Sequence, residues 1–273
     1  MGSHDEILKS LQAWAGQFYG GDATVSQLVR LSGGASQETW SVDVTHDGAA
    51  EELILRRVPG GVATASNSEA LGLATEARLL ECAAGSVPAP RVVQVFDPGS
   101  EVGEAFLMNR IPGQTIARKI LRDDEFRTAR SRLTAQCGQA LAAIHAIPLD
   151  TLPDLPDSGG LDQLEKYETI YRSFDLPRPV FELAMAWLKS NTPAPVPKVL
   201  VHGDYRIGNL IVDADGLAAV LDWELAHLGD PREDIAWLCV NSWRFGYARN
   251  RVGGFGQLPD LLTAYHSAGG QEF

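Results

Sequence analysis

The stretch Val201-His202-Gly203-Asp204-Tyr205-Arg206-Ile207-Gly208-Asn209, followed by Leu221-Asp222-Trp223-Glu224, decides the reading of this chain. Asp204 and Asn209 stand five residues apart, and Asp222 follows Asn209 by thirteen, after a short apolar run. One carboxylate can take a proton from a hydroxyl. An amide oxygen and a second carboxylate can hold a magnesium ion, a hard cation that binds oxygen and keeps several waters. This is the spacing of a phosphoryl-transfer site, where positioning and charge neutralisation supply most of the catalysis.

Working outward, the signature sits among short apolar runs that read as strands: Val199-Leu200-Val201, Leu210-Ile211-Val212 and Ala218-Ala219-Val220-Leu221. Helical patterns surround them, at 161–173 and 179–190 before and near 232–241 after. A longer helical face, marked by Phe126, Leu133, Cys137, Ala140 and Ile144, ends near Ile147 because Pro148 stops it. His145 on that face reads as a satisfied structural histidine. The N-terminal third is different. Leu28–Leu31, Thr39–Val44 and Glu52–Arg57 read as three strands, with Ser32-Gly33-Gly34-Ala35-Ser36 and Asp47-Gly48 as turns. A helix follows, with a capping-box spacing at Ser66 and Glu69 and an apolar face of Leu73, Ala77 and Leu80. Val92–Phe96 and Ala105–Met108 make two more strands. A five-strand, one-helix block thus precedes a mainly helical one. The expected boundary gives residues 1–109 as a nucleotide-binding lobe and 110–273 as a catalytic and substrate lobe.

Composition narrows the function. The chain has 273 residues and a formal net charge of −12. That charge argues against a nucleic-acid partner, which needs concentrated Lys and Arg. It suits a cationic or neutral small substrate. Cys82, Cys137 and Cys239 form neither a C-x-x-C pair nor a disulfide framework, and read as reduced thiols of a cytoplasmic protein. No apolar run approaches the roughly 20 residues of a membrane span. Met1-Gly2-Ser3-His4 reads as an expression-tag remnant.

These residues resemble the aminoglycoside phosphotransferase and choline kinase-like family of the protein-kinase-like fold, over about residues 25–245. The similarity rests on HGDxxxxN at 202–209, D-W at 222–223 and G-D-P-x-x-D at 229–234. Its nearest branch is the kinase domain linked to acyl-CoA dehydrogenases. The resemblance implies an α+β, two-lobed fold, with an antiparallel five-stranded sheet and one helix before a mainly helical lobe. It implies Asp204 as catalytic base and Asn209 and Asp222 as Mg²⁺ ligands. His202, Asp230 and Asp234 would brace the catalytic loop. Gly33, Gly34 and Ser36, a hairpin turn when read alone, take the place of the family's phosphate loop.

Arg56 stands where kinases usually carry Lys, and the branch is similar in carrying Arg there. Strand alternation puts Ile54 and Arg56 on one face. Glu76 reads either as the partner of Arg56 or as an exposed helix position. Met108, Asn109 and Ile111 look like the adenine hinge, through Asn109 C=O and Ile111 N–H. Trp223 reads as packing. Members of the family usually continue with more helices after residue 245, so the chain is expected to lack part of the second lobe.

The implied activity is transfer of the γ-phosphate of ATP or GTP, with Mg²⁺, to a hydroxyl of a small molecule, aminoglycoside-like or hydroxyacyl-CoA-like. A homodimer is left open. The alternative is a catalytically silent nucleotide-binding protein. A phosphohydrolase with an Asp nucleophile is set aside, since no D-x-D-x-[TV] element follows the first strand.

Overall fold

The computed structural model describes residues 4–31, 37–61 and 70–273. Helix α1 (His4–Phe18) opens the chain. Strands β1 (Thr24–Arg30), β2 (Glu38–His46) and β3 (Ala49–Arg57) follow, then α2 (Leu73–Ala83), β4 (Val92–Phe96) and β5 (Ala105–Asn109). The five strands form one antiparallel sheet in the order β1-β2-β3-β5-β4.

Period-two alternation sorts the two faces of this sheet. Leu53 and Leu55 of β3 and Leu107 of β5 pack with Trp40, Val42 and Val44 against Ile7, Leu11 and Trp14 of α1. The residues between them point the other way. Phe106 and Met108 join Leu73, Ala77 and Leu80 of α2 in the main core, and Ile54 packs against it. Arg56 lies on that same face, opposite Phe106 in the register. Helix α1 is a second N-terminal helix beyond the one expected. Ile7, Leu11, Trp14 and Ala15 mark its buried stripe at helical spacing. His4, expected to belong to a tag remnant, lies in this helix and hydrogen-bonds the Leu28 carbonyl at 3.1 Å. The proposed cap at Ser66 and Glu69 lies outside the described residues, and α2 begins at Leu73.

Beyond Asn109 the chain is mainly helical: α3 (Ala117–Arg122), α4 (Arg127–His145), α5 (Gly160–Ser173), α6 (Pro179–Ser190), α7 (Arg232–Leu238) and α8 (Leu258–Ser267). Four short strands make two ribbons. β6 (Val199–Val201) pairs with β9 (His227–Gly229), and β7 (Leu210–Val212) pairs with β8 (Leu217–Val220). The helical face expected from Phe126 to about Ile147 is α4, and the shorter α3 before it is set apart because Asp123 leaves the helical conformation. The hairpin α5–α6 buries none of its residues and exposes Phe174, Val180, Leu183 and Trp187. Among the described residues, no helix is long and apolar enough to cross a membrane.

The α4–α8 contact is close because Gly138 lies in it. A Cβ at Gly138 would meet Leu261 O at 2.7 Å and Tyr265 N at 2.9 Å, both backbone atoms of α8. Gly138→Ala is therefore expected to lower the urea midpoint, since overpacking costs about 1–3 kcal/mol and better helix propensity offsets about 1 kcal/mol. Gly16→Ala in α1, with no atom within 4 Å of the added carbon, should raise it. Equal midpoint changes in the two variants would contradict the packing account.

Candidate active site

Both ribbons are anchored by buried aliphatic strands, Val-Leu-Val in β6 and Leu-Ile-Val in β7. Their connections carry the polar groups. Asp204 and Asn209 lie between β6 and β7, and Asp222 lies between β8 and β9. Gly203 has φ 81°, and a Cβ there would collide with the Leu225 carbonyl. The turn that presents Asp204 therefore requires glycine.

Asp234, fully buried on α7, holds this turn. Its carboxylate accepts the backbone N–H of His202 at 2.8 Å and of Gly203 at 3.0 Å. His145 of α4 bonds the same carboxylate at 3.1 Å and is itself held by the Tyr265 hydroxyl at 2.9 Å. Burial works against the charge on Asp234, but the His145 bond, the neighbouring histidines and the loop N–H hold its carboxyl below the ordinary range. His202 is buried beside the Trp223 ring and bonds the Leu221 carbonyl at 3.0 Å. Burial lowers its proton affinity despite nearby carboxylates. Asp230 does not reach the loop. Its carboxylate is occupied by Arg232, two residues on.

Asn209 links the two connections. Its amide nitrogen donates to the Asp204 carboxylate at 2.6 Å and to the Asp204 carbonyl at 3.0 Å. That choice turns the amide oxygen into the end available to a cation. The Asn209 carbonyl accepts the Leu221 N–H at 2.8 Å, which sets the next residue, Asp222, beside it. Asp222 has φ 69°, a left-handed conformation that Asp adopts more readily than most residues.

Arg56 closes the site from the sheet. Its guanidinium reaches Glu76 at 2.9 Å, Asp222 at 2.9 Å and the Gln37 side-chain oxygen at 2.8 Å. Gln37 in turn donates to Glu224 at 3.2 Å. One guanidinium thus stands among three carboxylates, an excess of negative charge that suits a divalent cation. The donors are an amide oxygen and a carboxylate, a set that fits Mg²⁺, which keeps much of its water. Among the described residues, no cluster of three His, Cys, Asp or Glu side chains is gathered for a metal.

A cavity of about 410 Å³ lies between the sheet and these loops. Ile54, Arg56, Glu76, Met108, Asn109 and Ile111 line it, together with Asn209 and Asp222. Its volume falls within the roughly 300–1,000 Å³ of small-molecule sites. Gly33, Gly34 and Ser36 lie outside the described residues. Three contacts had no counterpart in the sequence reading: Gln37 on Arg56, and Arg206 and Trp237 on Asp204. Each joins segments with no shared periodicity, or a loop residue to its near neighbour, so no pattern announces it.

A model of the phosphotransferase enzyme family matches residues 27–270. Acyl-CoA dehydrogenase family member 10 of Mus musculus is 30% identical over 223 residues, which cover 78% of this chain but 20% of that protein. The chain therefore spans about a fifth of this curated relative. Two solved structures share the fold at low identity. Macrolide 2'-phosphotransferase MphH from Brachybacterium faecium aligns with TM-score 0.66 and 19% identity, over 97% of this chain and 84% of its own. The GDP complex of aminoglycoside 2'-phosphotransferase-IIIa aligns with TM-score 0.69 and 14% identity, over 96% and 83%.

Two predictions follow from the charges. Burial pushes the Glu76 carboxyl up to about 7 from its ordinary 4.5, while Arg56 pulls it down and Asp222 and Glu224 push it up. The folded chain then holds this proton more tightly than the unfolded chain. Its contribution to stability is complete below about pH 4.5 and is lost as pH rises through about 7. The full effect is on the order of 3 kcal/mol. Glu76→Gln, which does not titrate, should flatten the urea-midpoint profile between about pH 5 and about pH 8; an unchanged slope would contradict this origin. Separately, Asp234→Ala leaves buried donors without their carboxylate and should cost about 3–5 kcal/mol, read from the same midpoints.

Proposed function

The chain belongs to the phosphotransferase enzyme family, and from that premise we propose that it moves the γ-phosphoryl group of ATP or GTP, with Mg²⁺, to a hydroxyl of a small molecule. One observation carries the reading. Asp204 is bonded to Asn209, Asn209 is bonded through its backbone to Leu221, and Asn209 and Asp222 line one cavity beneath the sheet.

In this proposal Asp204 is the base. Its carboxylate takes the proton of the acceptor hydroxyl as the acceptor oxygen bonds to phosphorus. The bond from phosphorus to the bridging oxygen breaks, and its electron pair leaves on the nucleoside diphosphate. Asn209 and Asp222 would hold Mg²⁺, which supplies positive charge to the phosphate oxygens when bound. Arg56 adds a fixed positive charge on the same face of the sheet, braced by buried Glu76. Met108, Asn109 and Ile111, all lining the cavity, offer the place for the base of the nucleotide, with backbone groups as partners. The first expected acceptors are amino alcohols and sugars of the aminoglycoside kind, or hydroxyacyl thioesters. The macrolide and aminoglycoside enzymes that share the fold support the first class, and the acyl-CoA dehydrogenase relative supports the second.

The test is an ADP-release assay with ATP, Mg²⁺ and three acceptors: kanamycin, choline and 3-hydroxybutyryl-CoA. Asp204→Ala should lower kcat about 100- to 10,000-fold, the range of a general base, while calorimetry shows nucleotide binding retained. Turnover unchanged in this variant refutes the role of Asp204. Nucleotide binding without ADP release from any acceptor would leave a nucleotide-binding protein rather than an enzyme.

A further inference from the structure

The base is held by more than the metal-side amide. Trp237, on α7, donates its indole N–H to Oδ1 of Asp204 at 2.6 Å. Asn209 holds the other oxygen, Oδ2, also at 2.6 Å. Between them the Arg206 Nε–H faces both oxygens, at 3.1 and 3.0 Å. The Arg206 guanidinium lies over the Trp243 ring at 4.9 Å, and Trp243 meets Trp237 edge to face at 5.7 Å. The contacts close a ring: Asp204, Arg206, Trp243, Trp237 and back to Asp204.

Helix α7 therefore grips the catalytic turn twice. Asp234 fixes the backbone of residues 202 and 203, and Trp237, one turn further along the helix, fixes the side chain of residue 204. The two grips differ in kind. Asp234 is fully buried, as structural carboxylates with several donors are. Trp237 is 37% exposed, and its ring is held at the surface by Trp243 rather than by the core. A surface indole has water to satisfy its N–H and gains little from a protein partner. Its donation to the carboxylate matters most for the carboxylate. With both oxygens pinned from opposite sides, the group has little freedom to rotate about its Cβ–Cγ bond. A carboxylate offers about four acceptor positions, so three donors leave it able to receive a fourth, the acceptor hydroxyl.

We propose that Trp237 is a positioning residue for the phosphoryl-transfer reaction: its indole N–H sets the plane of the Asp204 carboxylate toward the incoming hydroxyl. This rests on the role of Asp204 given above. Orientation of a base acts on the chemical step and not on nucleotide binding, because a group misplaced by about 1 Å can lose on the order of a hundredfold in rate.

Two substitutions test it. Trp237→Phe keeps the ring on Trp243 and removes only the donor. It should lower kcat about tenfold or more in the ADP-release assay with the same three acceptors, with KM for ATP within about twofold and the thermal midpoint unchanged. Trp237→His returns a ring N–H near the same place and should recover part of kcat. A Phe variant with full kcat, or one whose loss comes with a lower midpoint and no recovery by His, overturns the proposal. A second measurement needs no turnover. The indole ¹H–¹⁵N signal that vanishes in Trp237→Phe should move upfield and exchange faster in Asp204→Ala; a signal indifferent to that change also overturns the proposal. Wild-type protein inactive with every acceptor refutes the assigned function, and the indole signal still decides the contact.

Discussion

The buried Asp234 carboxylate is the constraint on which the site depends. It gathers two consecutive backbone N–H groups of the turn before Asp204 and the ring of His145. Those donors come from different parts of the chain, and His145 is tied onward to Tyr265 of α8. A turn with a left-handed glycine beneath a bulky neighbour is not stable alone. Gly203 must sit at φ 81° under Leu225, and the strands on either side are three residues long. The carboxylate offsets this by giving the turn two charge-assisted hydrogen bonds in a place that water does not reach. Once the turn is fixed, the position of Asp204 follows, and the Asn209 amide nitrogen bonds both its carboxylate and its carbonyl.

The opposite wall is set by charge. Arg56 meets Glu76, Asp222 and Gln37 with three separate N–H groups. A lysine ammonium also has three donors, but all on one nitrogen, whereas the planar guanidinium spreads its donors over three nitrogens and reaches acceptors set further apart. Arginine at this strand position therefore does more than replace a cation. It ties α2, the β8–β9 connection and the start of β2 to one planar group. The consequence is an undercompensated site. Glu76 is fully buried, and burial raises its proton affinity although Arg56 pulls it down. A divalent cation held between Asn209 and Asp222 would offset that negative charge.

Much of this was legible in the chain. Alternation along Leu53-Ile54-Leu55-Arg56 placed Ile54 and Arg56 on one face, and the structure puts Leu53 and Leu55 under α1 and Arg56 on Glu76. The five strands and the helices near 161–173 and 179–190 were readable because each carries its own period or is bounded by Pro and Gly. Helix α1 carries Ile7, Leu11 and Trp14 at helical spacing, but its place comes from packing on the far face of the sheet, which no motif in the chain marks. Strand β9 was missed for a physical reason. His227-Leu228-Gly229 is too short to show alternation, and it is a strand only because β6 lies beside it. Asp230 shows the limit of motif reading: its neighbour Arg232 occupies the carboxylate that the motif assigned to the loop. Trp237 is unreadable for another reason, since a contact between a helix and a loop 33 residues away leaves no trace in spacing.

The loops that carry Asp204, Asn209 and Asp222 and the hairpin α5–α6 differ in physical character. Asp204, Asn209 and Asp222 sit on connections of two ribbons whose strands β6 and β7 are buried, and the turn before Asp204 is tied to the buried Asp234. The hairpin α5–α6 is the reverse. None of its residues is buried, and Phe174, Leu176, Val180, Leu183 and Trp187 face outward with more than half of their surface exposed. An apolar surface of this kind marks a place where contact is made. The loops can be read from three spaced residues. The hairpin carries no such motif, because an exposed apolar face is defined by its area rather than by residue order.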